Sequence, residues 1–152
     1  MIAIVRRFRA RVAAGSIAAD DEGSILLLTI GYAVLALAAV LICVDATSLY
    51  LEQKRLDSLA DAAALAGADG FTIAMDAAGQ PRADLTDTGV QAQAAALVED
   101  AGSGAVLVSA ATPDGVSARV TVATTWHPPV ITLFVPGGVP LEATATSRTA
   151  LR

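Results

Sequence analysis

The sequence predicts an α+β chain, in which a long N-terminal transmembrane helix continues outside the membrane and packs with a second helix on a small antiparallel sheet. Residues 24–44 form an apolar run without a charge, and residues 45–68 continue it with a helical pattern. Later segments alternate between apolar and polar positions, as strands do. The predicted divisions are a basic leader at 1–23, the span at 24–44, its helical extension at 45–68 and a small domain at 69–152.

The transmembrane prediction depends on the length and composition of residues 24–44. At about 1.5 Å per residue, a helix of this length covers roughly 30 Å, the hydrocarbon thickness of a bilayer. A cleaved secretory signal is the alternative, with Ala36 and Ala38 as an A-x-A pattern. The run is longer than a typical signal core and leads into helix-forming residues, so we predict an anchor that stays on the chain or loses only its leader.

The distribution of charge predicts a single-pass protein of defined orientation. Residues 1–23 carry a net charge of +1 with four arginines, and the residues after the span carry −6. Arginines beside one end of a span mark the cytoplasmic side, so the N-terminus is expected inside and the small domain outside. Residues 1–12 either orient insertion or form an interfacial helix on the inner leaflet. The acidic outer domain lacks the basic patch that nucleic-acid binding requires.

The helix beyond the membrane has an apolar face whose side chains become smaller along the chain. Its members recur at three- and four-residue spacing: Leu49, Leu56, Ala60, Ala63 and Gly67. Small side chains allow another helix or a sheet to approach closely. The face therefore either covers the chain's own domain or contacts neighbouring subunits, and the sequence leaves both interpretations open.

Local patterns predict one more helix and three strands in the outer domain. Thr88 can cap a helix that carries an apolar stripe and continues to Ala101. Proline and glycine in the segment Thr112–Gly115 predict a turn between the first two strands. The predicted strands are residues 105–111, 116–126 and 141–150, and residues 70–89 are predicted to form a loop.

An apolar loop lies between the second and third predicted strands, framed by prolines and glycines. Its five large apolar residues are Val130, Ile131, Leu133, Phe134 and Val135. The segment is too short to span a bilayer. One interpretation is that the loop completes a small core. The other is a patch that contacts the membrane surface or a partner, which is considered because five large apolar residues exceed what most loops carry.

The sequence contains no recognisable catalytic or cofactor motif. His127 is the only histidine and Cys43 the only cysteine, so neither a zinc site nor a histidine-based triad can be assembled. No glycine-rich phosphate loop is present. Four aspartates near one another in the chain lack the spacing of a calcium loop: Asp69, Asp76, Asp84 and Asp87. We therefore predict a non-enzymatic chain with no catalytic residue, cofactor or metal.

The residues around the span form a recognisable pattern. A charged leader ends in DDEG at Gly23, the span ends at Val44-Asp45, and LADAAALAGA occupies Leu59–Ala68. These features resemble the TadE/TadG-like proteins, pilin-like accessory components of the bacterial tight-adherence, or Flp-type, pilus machinery. The resemblance implies a pilin-like protein that acts as a minor pilin or as an assembly factor. It would be located in the cell membrane or in a surface pilus. The predicted partners are the bilayer, other pilin-like or assembly proteins, and further copies of the chain through the N-terminal helix.

The resemblance also implies a cleavage site. In related prepilins a peptidase cuts after a glycine, here between Gly23 and Ser24, and a glutamate five residues later guides assembly. The corresponding residue here is Leu28, which departs from that pattern. The alternative function is a membrane-tethered binding or sensor module that is unrelated to pili and uses the apolar loop. A tethered enzyme is a weaker alternative, because one histidine and scattered acids do not make a catalytic pocket.

Overall fold

The computed structural model describes residues 2–149, with side chains described for residues 23–149. The chain divides into two units, residues 1–44 and residues 45–152. The predicted α+β fold class is confirmed, with one long helix, a second helix and antiparallel strands. The elements are α1 (Ile2–Asp69), β1 (Thr72–Met75), β2 (Pro81–Asp84), α2 (Asp87–Ala101), β3 (Val106–Ala111), β4 (Ser117–Trp126) and β5 (Val139–Arg148).

The first unit, as far as its side chains are described, is a helix with apolar residues exposed on every side. Thirteen large apolar side chains between residues 25 and 44 are exposed, including Ile25, Leu35 and Ile42. The hydroxyl of Thr29 donates to the carbonyl oxygen of Ile25 at 2.8 Å, so this polar group needs no outside partner. Within Gly23–Asp69, α1 is long and apolar enough to cross a membrane.

Helix α1 begins at Ile2, well before the predicted start near Ser24. Three acidic residues, Asp20, Asp21 and Glu22, lie just before the apolar run. The segment contains no proline, however, and charged residues alone do not interrupt helical hydrogen bonding. The alternative of an interfacial helix at residues 1–12 depends on side chains that lie outside the described ones.

Helix α2 is capped at both ends. Thr86, rather than the predicted Thr88, is the N-cap, and its hydroxyl accepts a hydrogen bond from the N–H of Gly89 at 3.1 Å. The extended backbone of Thr86 presents this oxygen to the first turn, as an N-cap requires. At the other end Gly102 adopts a φ of 57° and donates to the carbonyl of Glu99 at 3.2 Å.

The main sheet is antiparallel with the strand order β3-β4-β5, and its strands lie within two residues of the predicted ones. Val120 in the central strand lies opposite Ala110 on one side and Ala145 on the other. The register of β3 shifts between Leu107 and Ser109, which is a β-bulge. Alternate residues of β4 and β5 face the helices, as the period of two predicts for a strand.

Asp114 organises the turn between β3 and β4. Its carboxylate accepts hydrogen bonds from the N–H of Val116 at 3.0 Å and from the N–H and hydroxyl of Ser117 at 2.6 and 2.9 Å. These donors favour the ionised form and lower the pKa of Asp114 below its ordinary value. The stabilisation is therefore present above an ordinary aspartate pKa of about 3.9 and is lost as pH falls through the lowered value.

Residues 70–89 contain a two-stranded hairpin, so the prediction of a loop is wrong there. Strands β1 and β2 pair antiparallel, and the carboxylate of Asp76 in their turn accepts from the N–H groups of Ala78 and Gln80, both at 2.8 Å. Gly79 completes the turn with a φ of 74°. Each strand has four mostly exposed residues, so no alternating apolar pattern marks them in the sequence.

The core of the second unit lies between the outer part of α1, helix α2 and one face of the main sheet. Its residues are mostly small: Leu56, Ala60, Ala63, Ala64, Ala68, Leu85, Val90, Ala94, Val98, Ala118, Val120, Val122, Ala143 and Ala145. The end of α1 and the first turn of α2 approach to backbone contact, since a Cβ added to Gly89 would lie 2.8 Å from the carbonyl oxygen of Gly70. Only glycine permits this approach.

Candidate functional site

The apolar face predicted on α1 lies against the chain's own domain. Four of its residues are buried and one is half-buried: Leu56, Ala60, Ala63 and Gly67, and then Leu49. A Cβ added to Gly67 would lie 3.0 Å from Cγ1 of Val90 and 3.3 Å from the Cβ of Ala118. The buried positions of this face are filled from within the second unit, so they offer no surface to a neighbouring subunit.

The residues of the predicted cleavage site, Gly23 and Ser24, are both exposed on α1. A Cβ added to Gly23 would meet no atom within 4 Å. Leu28, which stands where related prepilins carry a glutamate, is exposed among other apolar side chains. Cleavage between Gly23 and Ser24 stays a prediction.

Asp45, the first residue after the apolar run, makes a long-range contact with the apolar loop. Its exposed fraction is 7%, and its Oδ1 accepts a hydrogen bond from the N–H of Val130 at 3.1 Å. Its Oδ2 is buried and has no hydrogen-bond partner among the described residues. The carboxylate thus joins the beginning of the second unit to a segment 85 residues later in the chain.

Two further hydrogen bonds join the same part of α1 to the strands on either side of the loop. The indole Nε1 of Trp126, at the end of β4, donates to the hydroxyl of Ser48 at 3.1 Å. The side-chain amide of Gln53 donates to the carbonyl of Glu142, in β5, at 3.3 Å. Three contacts therefore hold the segment between β4 and β5 beside the first turns of α1 that follow the apolar run.

The apolar loop, residues 130–135, consists of turns rather than extended strand. The N–H groups of Phe134 and Val135 both donate to the carbonyl of Ile131, at 2.9 and 3.2 Å. The hydroxyl of Thr132 donates to the carbonyl of Pro128. Two of the six backbone N–H groups of the loop are therefore paired within it, and a third, that of Val130, donates to Asp45.

The side chains of the apolar loop are largely outside the core. Leu133 is 89% exposed and Phe134 is 83% exposed, whereas Val130 and Ile131 are partly exposed and Val135 is half-buried. The tip of the loop is therefore an exposed apolar patch, one of the two interpretations that the sequence left open. Only the half-buried end of the loop, at Val135, contributes to a core.

Gly138 ends this segment in a conformation that other residues avoid. Its φ is 69°, and an added Cβ would lie 2.6 Å from Cγ2 of Thr125 and 2.8 Å from the carbonyl oxygen of Trp126. We expect Gly138→Ala to lower the free energy of unfolding by about 2 kcal/mol. The measurement is guanidinium chloride unfolding of the full chain in detergent micelles, followed by fluorescence of Trp126, the only tryptophan.

The neighbouring Gly137 supplies a matched control for that substitution. A Cβ added to Gly137 would meet nothing within 4 Å, and its φ is not positive. We expect Gly137→Ala to change the free energy of unfolding by less than about 0.5 kcal/mol. Equal unfolding midpoints for the two variants would contradict the role given to Gly138.

Asp45 marks the exit from the apolar run in the sequence, but the sequence predicts no contact for its carboxylate. The available signal was an isolated acid directly after 21 uncharged residues. Its partner is a backbone N–H, which leaves no mark in the sequence, and Val130 is far away in the chain. Only the folded chain brings these two groups together.

The described residues do not assemble a metal site. Within residues 23–149, no group of three or more His, Cys, Asp or Glu side chains is placed to hold a metal ion. The carboxylates of Asp76 and Asp87 instead accept backbone N–H groups in separate parts of the domain. The prominent surfaces of the described chain are apolar, namely the exposed helix of the first unit and the tip of the apolar loop.

A family model for Flp pilus-assembly TadE/G-like proteins matches residues 23–70. This segment is TadE/G-like. The resemblance predicted from residues 22–68 is thereby confirmed, and it indicates a pilus-related function. No curated protein and no solved structure matches the chain. The TadE/G-like segment includes the apolar run, Asp45 and the buried face of α1, whereas the apolar loop lies outside it.

Asp45 of the TadE/G-like segment is expected to protect the amide of Val130 from hydrogen exchange. In Asp45→Ala this N–H loses its acceptor, and we expect its exchange to become about tenfold faster, which corresponds to about 1.4 kcal/mol. Asp45→Asn keeps a side-chain carbonyl oxygen and should retain most of the protection. Asp61→Ala, an exposed acid on the same helix, is the control and should leave the rate unchanged.

Unchanged exchange of Val130 in Asp45→Ala would show that the hydrogen bond does not protect this amide. The measurement uses the full chain in detergent micelles, with peptides from residues 126–135 analysed by mass. A uniform rise in exchange over the whole second unit would instead indicate general destabilisation, and would contradict a local role for Asp45.

Proposed function

We propose that this chain is a non-enzymatic, membrane-anchored, pilin-like component of a tight-adherence pilus or secretion system, acting as a minor pilin or an assembly factor. The observation that carries the proposal is the TadE/G-like match over residues 23–70, a segment whose first half is an exposed apolar helix of membrane-spanning length. Such a helix is stable only in lipid or against other apolar helices.

The distribution of charge supports an orientation with the N-terminus in the cytoplasm. Four arginines precede the apolar run, and the residues that follow it carry a net charge of −6. The second unit would then lie on the extracytoplasmic side. Its partners would be the bilayer and other pilin-like or assembly proteins, with self-association through the uncharged part of α1.

Deletion of the gene, followed by quantification of pili sheared from the cell surface, tests this function. We expect pili to be lost or strongly reduced, and to return when the wild-type chain is supplied. Unchanged pili would contradict the proposal and would favour a membrane-tethered binding or sensor module that is unrelated to pili.

N-terminal sequencing of the chain from native membranes distinguishes the two roles. A mature chain that begins at Ser24, and whose processing is blocked in Gly23→Leu, identifies a subunit that can leave the membrane for a filament. Gly31→Leu is a matched control, because Gly31 lies on the same helix and an added Cβ there also meets nothing within 4 Å. A full-length chain that begins at Met1 identifies a permanent anchor beside the pilus.

A further inference from the structure

We propose that the apolar loop, residues 130–135, inserts its tip into the outer interface of the same bilayer that holds the apolar run. This inference rests on the proposed function, because it takes the apolar run to lie in a membrane. It concerns a second contact with lipid, made by a part of the chain outside the TadE/G-like segment.

The loop is attached to the residue at which the chain leaves the apolar run. Asp45 directly follows Val44, and its Oδ1 is hydrogen-bonded to the N–H of Val130 at 3.1 Å. The interfacial region on each side of a bilayer is roughly 5–8 Å thick. A chain covers at most about 3.5 Å per residue, so Leu133, three residues after Val130, lies within about 11 Å of that amide. The tip of the loop is therefore within reach of the interface.

The chemistry of the loop fits lipid better than a soluble protein. No charged residue occurs between Trp126 and Glu142, so the segment offers no ion pair to fix the register of a protein partner. Its tip presents an aliphatic side chain, Leu133, and an aromatic one, Phe134, which are the types that enter the boundary between headgroups and acyl chains. Tyr50, exposed on α1 shortly after the span, is a residue type enriched at that level.

Part of the polar surface of the loop is already paired within the protein. The carbonyl of Ile131 accepts the N–H groups of Phe134 and Val135, and the hydroxyl of Thr132 donates to the carbonyl of Pro128, just before the loop. Polar groups that are already paired lose little when water is replaced by lipid. Insertion would hold the second unit against the membrane surface at two places, the end of the apolar run and the loop.

A spin label at residue 134 tests the proposal in the full chain. The background is Cys43→Ala, which removes the only cysteine. Phe134→Cys carries the label in question, Ser103→Cys labels an exposed turn of the second unit, and Leu35→Cys labels the middle of the apolar run. All three positions are exposed, so the substitutions should not disturb the core. The chains are reconstituted in vesicles of phosphatidylethanolamine and phosphatidylglycerol.

The readout is collision of each label with oxygen, which concentrates in lipid, and with a water-soluble nickel chelate. We expect the ratio of oxygen to nickel accessibility at residue 134 to be several-fold higher than at Ser103 and to approach that at Leu35. A ratio equal to that at Ser103 would overturn the proposal, and so would low access to both reagents, which indicates contact with protein.

The label at Leu35 separates this inference from the proposed function. If Leu35 is in lipid while residue 134 is in water, only the insertion of the loop is wrong and the anchor stands. If the label at Leu35 is itself in water, the apolar run is not in the bilayer, and both the anchor and the insertion are overturned.

Discussion

Replacing Val34 and Leu37 together with arginine is expected to release the chain from the membrane. Both side chains are exposed near the middle of the apolar run, so nothing in the described part of the protein would neutralise the new charges. Each substitution costs about 3–4 kcal/mol on an insertion scale, from the arginine gained and the apolar residue lost. The sum, about 6–8 kcal/mol, should shift most of the protein from the carbonate-resistant membrane fraction to the soluble or degraded fraction.

The matched control places the same two arginines on α1 beyond the apolar run. Leu51 and Leu65 are also exposed, and both lie in the second unit, where water can solvate a charge. We expect the Leu51→Arg, Leu65→Arg chain to stay in the membrane fraction. If the Val34→Arg, Leu37→Arg chain is retained to the same extent, residues 24–44 are not what holds the protein in the membrane.

Replacing Gly67 with leucine is expected to have the largest effect on the stability of the second unit. A Cβ at this position already lies 3.0 Å from Cγ1 of Val90 and 3.3 Å from the Cβ of Ala118, and leucine adds three more carbons. The residue is buried between α2 and the sheet, so the helix would have to move outward. We expect a loss of about 3 kcal/mol, a large share of the roughly 5–15 kcal/mol that a domain of this size has.

Ala62→Leu is the control for added volume on the same helix. Ala62 is exposed, so the larger side chain should change the free energy of unfolding by less than about 0.5 kcal/mol. Guanidinium chloride unfolding in detergent micelles, monitored through the buried indole of Trp126, measures both variants. Similar midpoints would mean that the contact of Gly67 with Val90 and Ala118 is not close in solution.

The elements that local patterns predicted are those whose cause is local. The apolar run follows from 21 consecutive uncharged residues, and β4 follows from alternation that places Ala118, Val120 and Val122 on one buried face. Gly102 ends α2 where a glycine in the left-handed region is expected. Each signal lies within a few residues of the structure that it produces.

The incorrect predictions concern segments in which the local sequence signal is ambiguous or absent. Thr88 and Thr86 are both able to cap a helix, and the choice of Thr86 depends on which residue has the extended backbone. The hairpin of β1 and β2 has short, exposed strands and a proline at the start of β2, so neither alternation nor strand composition reveals it. The carboxylate of Asp76 holds its turn by accepting two backbone N–H groups, and an aspartate in a polar segment does not by itself reveal such bonds.

The sequence by itself determined the apolar helix that is long enough to cross a membrane, the α+β class and the TadE/G-like character of residues 23–70, because these depend on hydropathy, periodicity and the order of neighbouring residues. The tertiary structure alone decided that Asp45 contacts the apolar loop, that the small-residue face of α1 is filled by the chain's own core, and that Leu133 and Phe134 point away from it. These features arise between residues far apart in the chain. The carboxylate of Asp45 meets a backbone N–H, and the small residues of α1 leave room for side chains of α2 and the sheet. Such partners exist only once the chain has folded, because every residue carries the same backbone groups and the fold selects which of them meet.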